Sequence, residues 1–208
     1  PKKVKNLDIK ITNTHTNNIP YFTYFLNTDI PPFSAKINHA FVNLYTDKQH
    51  QLIGSSNIVL SKVFIDSMPL DSLKGDLTLR DEKIFFPNLE IKFGNSLISS
   101  KGNFDIKHSA LNIIFKKASL FSLADLSRFE SIPNQLDGTV SLFGNMHITT
   151  HNLSYKLNFA ADSLDFGDML LSNSTALIDY KNNLLTIKKF KSKINDTGSI
   201  DINGNFYH

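Results

Sequence analysis

Two histidines, His147 and His151, have the spacing that places a pair of metal ligands on one face of a helix. The residues around them alternate between apolar and polar types, which predicts strand, turn and strand instead of a helix. No Glu follows His147, as a zinc-protease motif requires. We therefore interpret both histidines as solvated residues and expect no metal or other cofactor.

Three aspartates, Asp162, Asp165 and Asp168, have carboxylates that could act as a glycosidase pair or as calcium ligands. Their order, Asp-x-x-Asp-x-x-Asp, does not match the calcium-binding loop, and aspartate is common in turns. The sequence contains no Cys, no Gly-x-Ser-x-Gly elbow and no Gly-rich phosphate loop. We expect that the chain is not an enzyme.

Two basic segments, residues 1–5 and 188–193, could contact a polyanion. The net charge of +3 and the pI of about 9.0 are too small, and the lysines too dispersed, to indicate nucleic-acid binding. We interpret the lysines as a solvated outer face that also discourages aggregation. A functional version of this interpretation is attraction to anionic lipid headgroups. No nucleic acid is expected as a partner.

The composition is that of a folded protein, with 41% hydrophobic and 20% charged residues in a chain of 208. No window contains the 18 uninterrupted apolar residues of a membrane span, and no apolar run follows the basic start as in a signal peptide. The sequence does not begin with Met. We expect a segment of a larger protein, with any membrane anchor outside it.

Apolar residues recur at every second position over most of the chain. Leu153, Tyr155, Leu157 and Phe159, for example, alternate with polar residues. This period is that of a strand with one apolar and one polar face. Turn-forming residues, as at 81–83 and 182–183, separate the runs. The sequence predicts an all-β fold with a long, curved, mostly antiparallel sheet.

Three segments depart from this alternation. At residues 60–63 and 188–189 the apolar set shifts by one position, which predicts a β-bulge at each place. Residues 119–129 carry apolar side chains at three-to-four spacing, which predicts one short helix there.

Two loose repeats, residues 55–106 and 136–206, have the same order of strand, turn, strand, turn and closing strand. Each closing strand contains Gly-Asn-Phe. Two such copies indicate a repeat architecture built from hairpins. We therefore predict that residues 1–208 form a single repeat-built segment.

The two repeats and the region between them contain the segments LTLRDEKI at 77–84, LEI at 89–91, GNF at 102–104, SLFSLADLSRF at 119–129, LDGTVSL at 136–142, DYKNNLLTI at 179–187 and GSIDING at 198–204. With these segments, residues 55–208 resemble the AsmA-like/TamB family of Gram-negative envelope proteins. The resemblance implies a β-taco, a sheet folded lengthwise around an apolar groove that conducts phospholipid between the inner and outer membranes or aids outer-membrane assembly. It implies a periplasmic location, an inner-membrane anchor outside this segment, and an outer-membrane β-barrel protein as a partner.

Alternation and resemblance together predict which residues line the groove and contact phospholipid acyl chains. One wall is predicted to contain Val140, Leu142, Met146, Ile148, Leu153, Tyr155, Leu157, Phe159, Ile200, Ile202 and Phe206. Its continuation is predicted to contain Leu77, Leu79, Ile84, Phe86, Leu89, Ile91, Phe93, Phe104 and Ile106.

A closed β-sandwich would have the same alternation, because it also needs strands that are apolar on one face. In that alternative the chain is an adhesive or structural module whose outer face binds carbohydrate or a partner protein. In the groove hypothesis, the unpaired edge strands also predict edge-to-edge self-association of the isolated segment.

Overall fold

Strands account for nearly all of the chain that the computed structural model describes, which is residues 6–16, 33–47, 51–65, 68–128, 136–195 and 197–207. The basic segment 1–5 lies outside these residues. The prediction of an all-β, antiparallel fold is confirmed. The strands are β1 (Leu7–His15), β2 (Phe33–Thr46), β3 (Leu52–Ile65), β4 (Met68–Arg80), β5 (Lys83–Phe93), β6 (Ser96–Asp105), β7 (Ala110–Ser122), β8 (Leu136–Thr149), β9 (Asn152–Phe166), β10 (Met169–Lys181), β11 (Leu184–Ile194) and β12 (Gly198–Tyr207).

The order of the strands in the sheet follows the order of the chain, from β1 to β12. Tight turns join several pairs of neighbouring strands. Asp81 and Glu82 have φ angles of 51° and 57°, and Asn182 and Asn183 have angles of 53° and 60°. Two consecutive residues with positive φ match the twist of the antiparallel strands that they connect. Both turns were predicted from the sequence.

The chain divides into two compact units. Unit 1 comprises Pro1–Gly94 and Asn103–Lys107, and unit 2 comprises Asn95–Gly102 and His108–His208. Unit 1 therefore contains β1 to β5, unit 2 contains β7 to β12, and β6 contributes residues to both.

Both predicted bulges are present. In unit 2, Leu177 of β10 is paired with Lys189, but the next residue, Ile178, is paired with Ile187, so Lys188 is the extra residue of β11. In unit 1, the register between β2 and β3 shifts beside Lys62, which has a φ of 48°. The bulges keep apolar side chains on one face where the sequence alternation changes phase.

The helix predicted at 119–129 is shorter than expected. Residues 119–122 belong to β7, and only Leu123–Arg128 are helical, in a 3₁₀ conformation. Ser119 is fully buried, and its hydroxyl donates to the Ser99 carbonyl oxygen at 2.7 Å and accepts from the Ser99 N–H at 3.0 Å. These bonds fix Ser119 in the sheet. The three-to-four spacing of the apolar residues therefore does not correspond to an α-helix here, although it predicted one. Phe129 lies outside the described residues.

The hydrophobic core of unit 2 lies on one face of its sheet. Its buried members are Val140, Ala161, Leu164 and Leu171. Half-buried side chains pack against them, among them Leu123 from the 3₁₀ helix. A helix that could span a membrane is absent from the described residues.

Candidate functional site

The apolar face of unit 2 is assembled by the register of β8 to β12. Residues paired directly across antiparallel strands place their side chains on the same face. Met146 is paired with Tyr155, Tyr155 with Tyr180, Tyr180 with Leu185, and Leu185 with Phe206. This row crosses five strands with apolar or aromatic side chains at every position.

Two further rows run beside it. One contains Leu142, Phe159, Ala176, Phe190 and Ile202, and the next contains Gly144, Leu157, Ile178, Ile187 and Gly204. Ile148 is paired with Leu153, and Ile200 with Ser192, at the margins of this face. The structure thus brings the eleven predicted residues of the first wall onto one face.

These eleven residues differ widely in exposure. Val140 and Leu157 are buried, at 8% and 7% exposure, whereas Leu153, Ile202 and Phe206 are exposed. The other six are half-buried. A closed core would leave none of the central side chains in contact with water. The face is therefore partly buried and partly exposed.

Unit 1 has an apolar face of its own. Leu79 is paired with both Gly54 and Ile84, Leu89 with Gly75, and Ile91 with Leu73. Among the predicted residues here, Phe86 and Phe93 are buried and Ile106 is exposed, and the others are half-buried: Leu77, Leu79, Ile84, Leu89, Ile91 and Phe104. Ile106 was expected in a strand but follows the end of β6, where its N–H donates to the Glu82 carbonyl oxygen.

An open depression of about 820 Å³ lies beside this face of unit 1. Leu79 and Ile106 line it together with charged side chains, namely Asp81, Glu82 and Lys107. The mixture of carboxylates and a cation with apolar side chains makes it unlike the interior of an apolar groove.

Unit 2 contains a smaller pocket with a different lining, here called the apolar pocket. Its volume is about 280 Å³, and the described residues expose no polar surface inside it. The pocket lies within the apolar face and extends to the 3₁₀ helix. The lining residues are Leu123, Val140, Phe159, Ala160, Ala161, Leu164, Phe166, Ser174, Thr175, Ala176, Ile178 and Phe190.

The two tyrosines of the first row form a stacked pair. The ring centroids of Tyr155 and Tyr180 are 5.2 Å apart, with 16° between the ring planes. Burial, and secondarily the neighbouring Tyr180 hydroxyl, raise the pKa of the Tyr155 hydroxyl above its ordinary value of 10.0. The Tyr180 hydroxyl donates to the Asn183 side chain at 3.3 Å. The pair thus presents flat rings to the apolar face while a hydroxyl reaches the polar turn.

The opposite face of unit 2 carries ion pairs. The Lys188 ammonium contacts the Asp179 carboxylate at 2.7 Å, and Lys191 contacts Asp201 at 2.9 Å. The four lysines of residues 188–193 are exposed. The lysines of this segment therefore lie on the solvated face, opposite the apolar residues.

The residues considered for catalysis or metal binding do not converge. The Nδ1 atom of His147 lies 2.7 Å from the Asn112 side-chain oxygen, and His151 is an exposed turn residue. Asp162, Asp165 and Asp168 are exposed. Within the described ranges, no group of three or more His, Cys, Asp or Glu side chains could hold a metal ion.

Sequence reasoning missed several residues of the apolar pocket. Ala176 and Ile178 alternate in β10 with the same period as the predicted wall, so this strand could have been included. Leu123 had no such signal, because the sequence placed it in a helix without indicating which surface that helix covers.

Comparison of the chain with family models, curated proteins and solved structures finds no match. The residues quoted from the sequence are therefore the basis of the resemblance to the AsmA-like/TamB family.

Proposed function

We propose that the chain is a non-enzymatic, lipid-conducting groove segment of an AsmA/TamB-like protein. In this proposal it aids phospholipid transport between the inner and outer membranes, or outer-membrane assembly. The observation that carries the proposal is the apolar face of unit 2, which crosses five strands and remains partly exposed.

The physical reason for such a face is the cost of exposing acyl chains to water. Each methylene exposed costs about 0.8 kcal/mol, so a chain of roughly sixteen carbons faces a barrier on the order of 10 kcal/mol. An apolar wall against which the chain can lie removes much of this barrier. The headgroup can stay in water, so the proposed function requires no charged pocket and no catalytic side chain.

The location and protein partner in this proposal follow from the family resemblance. The segment would lie in the periplasm, with its inner-membrane anchor outside these residues, and an outer-membrane β-barrel protein would be its partner. The exposed lysines at 188–193 suit attraction to anionic headgroups.

The alternative, a closed β-sandwich, needs a second sheet over the apolar face. The described strands of unit 2 follow one another within a single sheet. This arrangement supports the groove in preference to the sandwich.

Native mass spectrometry of the chain incubated with phospholipid vesicles tests the proposal. Ile202 and Asn203 are adjacent, exposed residues of β12 whose side chains lie on opposite faces. We expect phospholipid on the wild-type chain and on Asn203→Glu, and about tenfold less on Ile202→Glu, because a carboxylate on the apolar face opposes acyl binding. A wild-type chain without phospholipid, or equal loading of the two variants, would contradict the proposal.

A further inference from the structure

The apolar pocket exists because small side chains meet in register. Ala161 of β9 is paired with Ser174 of β10, and Ala176 is paired with both Phe159 and Phe190. The rings of Phe159 and Phe190 thus lie on either side of Ala176, next to the small side chains of Ala161 and Ser174. Since large side chains surround small ones, a hollow remains between them.

The serine in this hollow does not make it polar. Ser174 and Ser192 are buried, at 3% and 5% exposure, and their hydroxyls are hydrogen-bonded to each other at 2.8 Å. The Ser192 hydroxyl also lies within hydrogen-bond distance of the backbone carbonyl oxygens of Ser172 and Lys193, at 3.3 and 3.1 Å, and its one proton can be donated to either. The hydroxyls are therefore satisfied by one another and by the sheet. None of the described residues that line the pocket is titratable.

This lining restricts what can bind. A peptide or a lipid headgroup would bring polar groups that the wall cannot hydrogen-bond, at a cost of several kcal/mol for each. An alkyl chain brings none. The volume of about 280 Å³ lies near the lower limit of ligand pockets, about 300 Å³, so it suits one chain better than a whole diacyl lipid.

Leu123 and Val140 line the pocket on the side of β8 and the 3₁₀ helix. The position of this helix is fixed by Asp125, which is buried at 4% exposure. Its carboxylate accepts hydrogen bonds from the Asn95 N–H at 2.9 Å and from the Ser96 hydroxyl at 2.7 Å. The Ser96 oxygen in turn accepts from the Ser122 N–H at 2.9 Å. Hydrogen bonds of Ser122 and Asp125, the residues just before and shortly after Leu123, thus hold Leu123 in place.

We propose that the apolar pocket binds the end of a single alkyl chain, with Leu123 and Val140 as its end wall. This inference rests on the proposed function. It adds that the end of the alkyl chain has a defined position on the apolar face. The chain occupies the hollow between Phe159 and Phe190. The fixed end wall makes the pocket selective for chain length.

The test measures binding of saturated fatty acids of increasing chain length by native mass spectrometry. Ala176→Leu fills the hollow, and we expect it to lower affinity about tenfold, the factor for displacing roughly two methylenes. Leu177→Phe is the matched control, because Leu177 follows in β10 and lies on the opposite face. It should bind as the wild-type chain does. Leu123→Ala should move the preferred chain length upward.

A second arm replaces the fatty acids with diacyl phospholipid vesicles, and circular dichroism verifies that each variant is folded. Binding in both arms assigns the alkyl chain to a phospholipid, and binding only in the first assigns it to a free fatty acid; either supports the pocket. If Ala176→Leu and Leu123→Ala fold and bind unchanged while Ile202→Glu loses lipid, the pocket assignment is wrong and the proposed function stands. A wild-type chain that takes up neither ligand overturns both.

Discussion

The two units carry the same alternation yet present different apolar surfaces. In unit 1, the row from Leu44 to Leu79 passes through Gly54, and the depression beside it has charged side chains. Unit 2 has a depression of about 380 Å³ with charged side chains as well, but it also has the apolar pocket, which is bounded by phenylalanines and in which the described residues expose no polar surface. The difference shows that period-two patterning decides which face is apolar, while side-chain size in register decides what that face can hold.

Replacing a central leucine with glutamate in each unit should give the largest effect. Leu157 of unit 2 is 7% exposed, whereas Leu77 of unit 1 is half-buried. We expect Leu157→Glu to cost about 4 kcal/mol and Leu77→Glu about 2 kcal/mol, since a buried carboxylate loses its hydration. Urea unfolding measures both, and Asn205→Glu, on the exposed polar face of β12, should cost less than about 0.5 kcal/mol. Equal costs in the two units would remove the distinction between them.

One glycine from each unit, Gly144 of unit 2 and Gly54 of unit 1, tests how closely neighbouring strands approach each other there. At Gly144, with a φ of 146°, a Cβ would overlap the Lys156 carbonyl oxygen, which is backbone. At Gly54, the nearest atom to a Cβ would be the Leu44 Cδ2 atom, the end of a flexible side chain. Gly144→Ala should therefore cost about 3 kcal/mol and Gly54→Ala about 1 kcal/mol. The reverse order in chemical denaturation would disprove the tighter strand approach in unit 2.

The sequence predicted which residues share a face, and the reason is the strictness of the strand period. Leu153, Tyr155, Leu157 and Phe159 had to point the same way once β9 was a strand. The two bulges were also predictable, because the apolar pattern itself changed phase at them.

The apolar pocket was not predictable, because it depends on which residues of different strands are paired. The pairing of Ala161 with Ser174 and of Ala176 with Phe159 and Phe190 follows from turn lengths and bulges. The late start of the predicted helix, at Leu123 instead of Ser119, was not predictable for a similar reason, since Ser119 is bonded to Ser99, twenty residues earlier. A single sequence contains no direct signal for such long-range pairs.

Buried serines of the two units should respond to truncation in opposite directions. The Ser174 hydroxyl is bonded to that of Ser192, whereas the buried Ser56 hydroxyl has no hydrogen-bond partner within the part of the chain that the structure describes. Ser174→Ala should destabilise by about 1 kcal/mol, and Ser56→Ala should stabilise by about 1 kcal/mol. Thermal unfolding in which Ser56→Ala lowers stability would show that Ser56 has a partner.

The smallest expected effect is a pH dependence specific to unit 2. The pKa of Tyr155 is raised in the folded chain, so the unfolded chain loses this proton first as the pH increases. The contribution of Tyr155 to stability is complete below pH 10.0, its ordinary pKa, and declines as the pH rises through the folded value. Tyr155→Phe should flatten the stability curve above that pH, as measured by denaturation. An unchanged slope would contradict the raised pKa.

Photo-crosslinking at two neighbouring residues of β12 tests the central claim most directly. Phe206 lies on the apolar face and is 52% exposed, whereas Tyr207 lies on the opposite face and is 84% exposed. A photoreactive phenylalanine analogue at each position is irradiated in the presence of phospholipid vesicles. We expect phospholipid adducts at position 206 and few at 207, although 207 is more accessible. Adducts that follow exposure, with 207 exceeding 206, would contradict a lipid-binding apolar face.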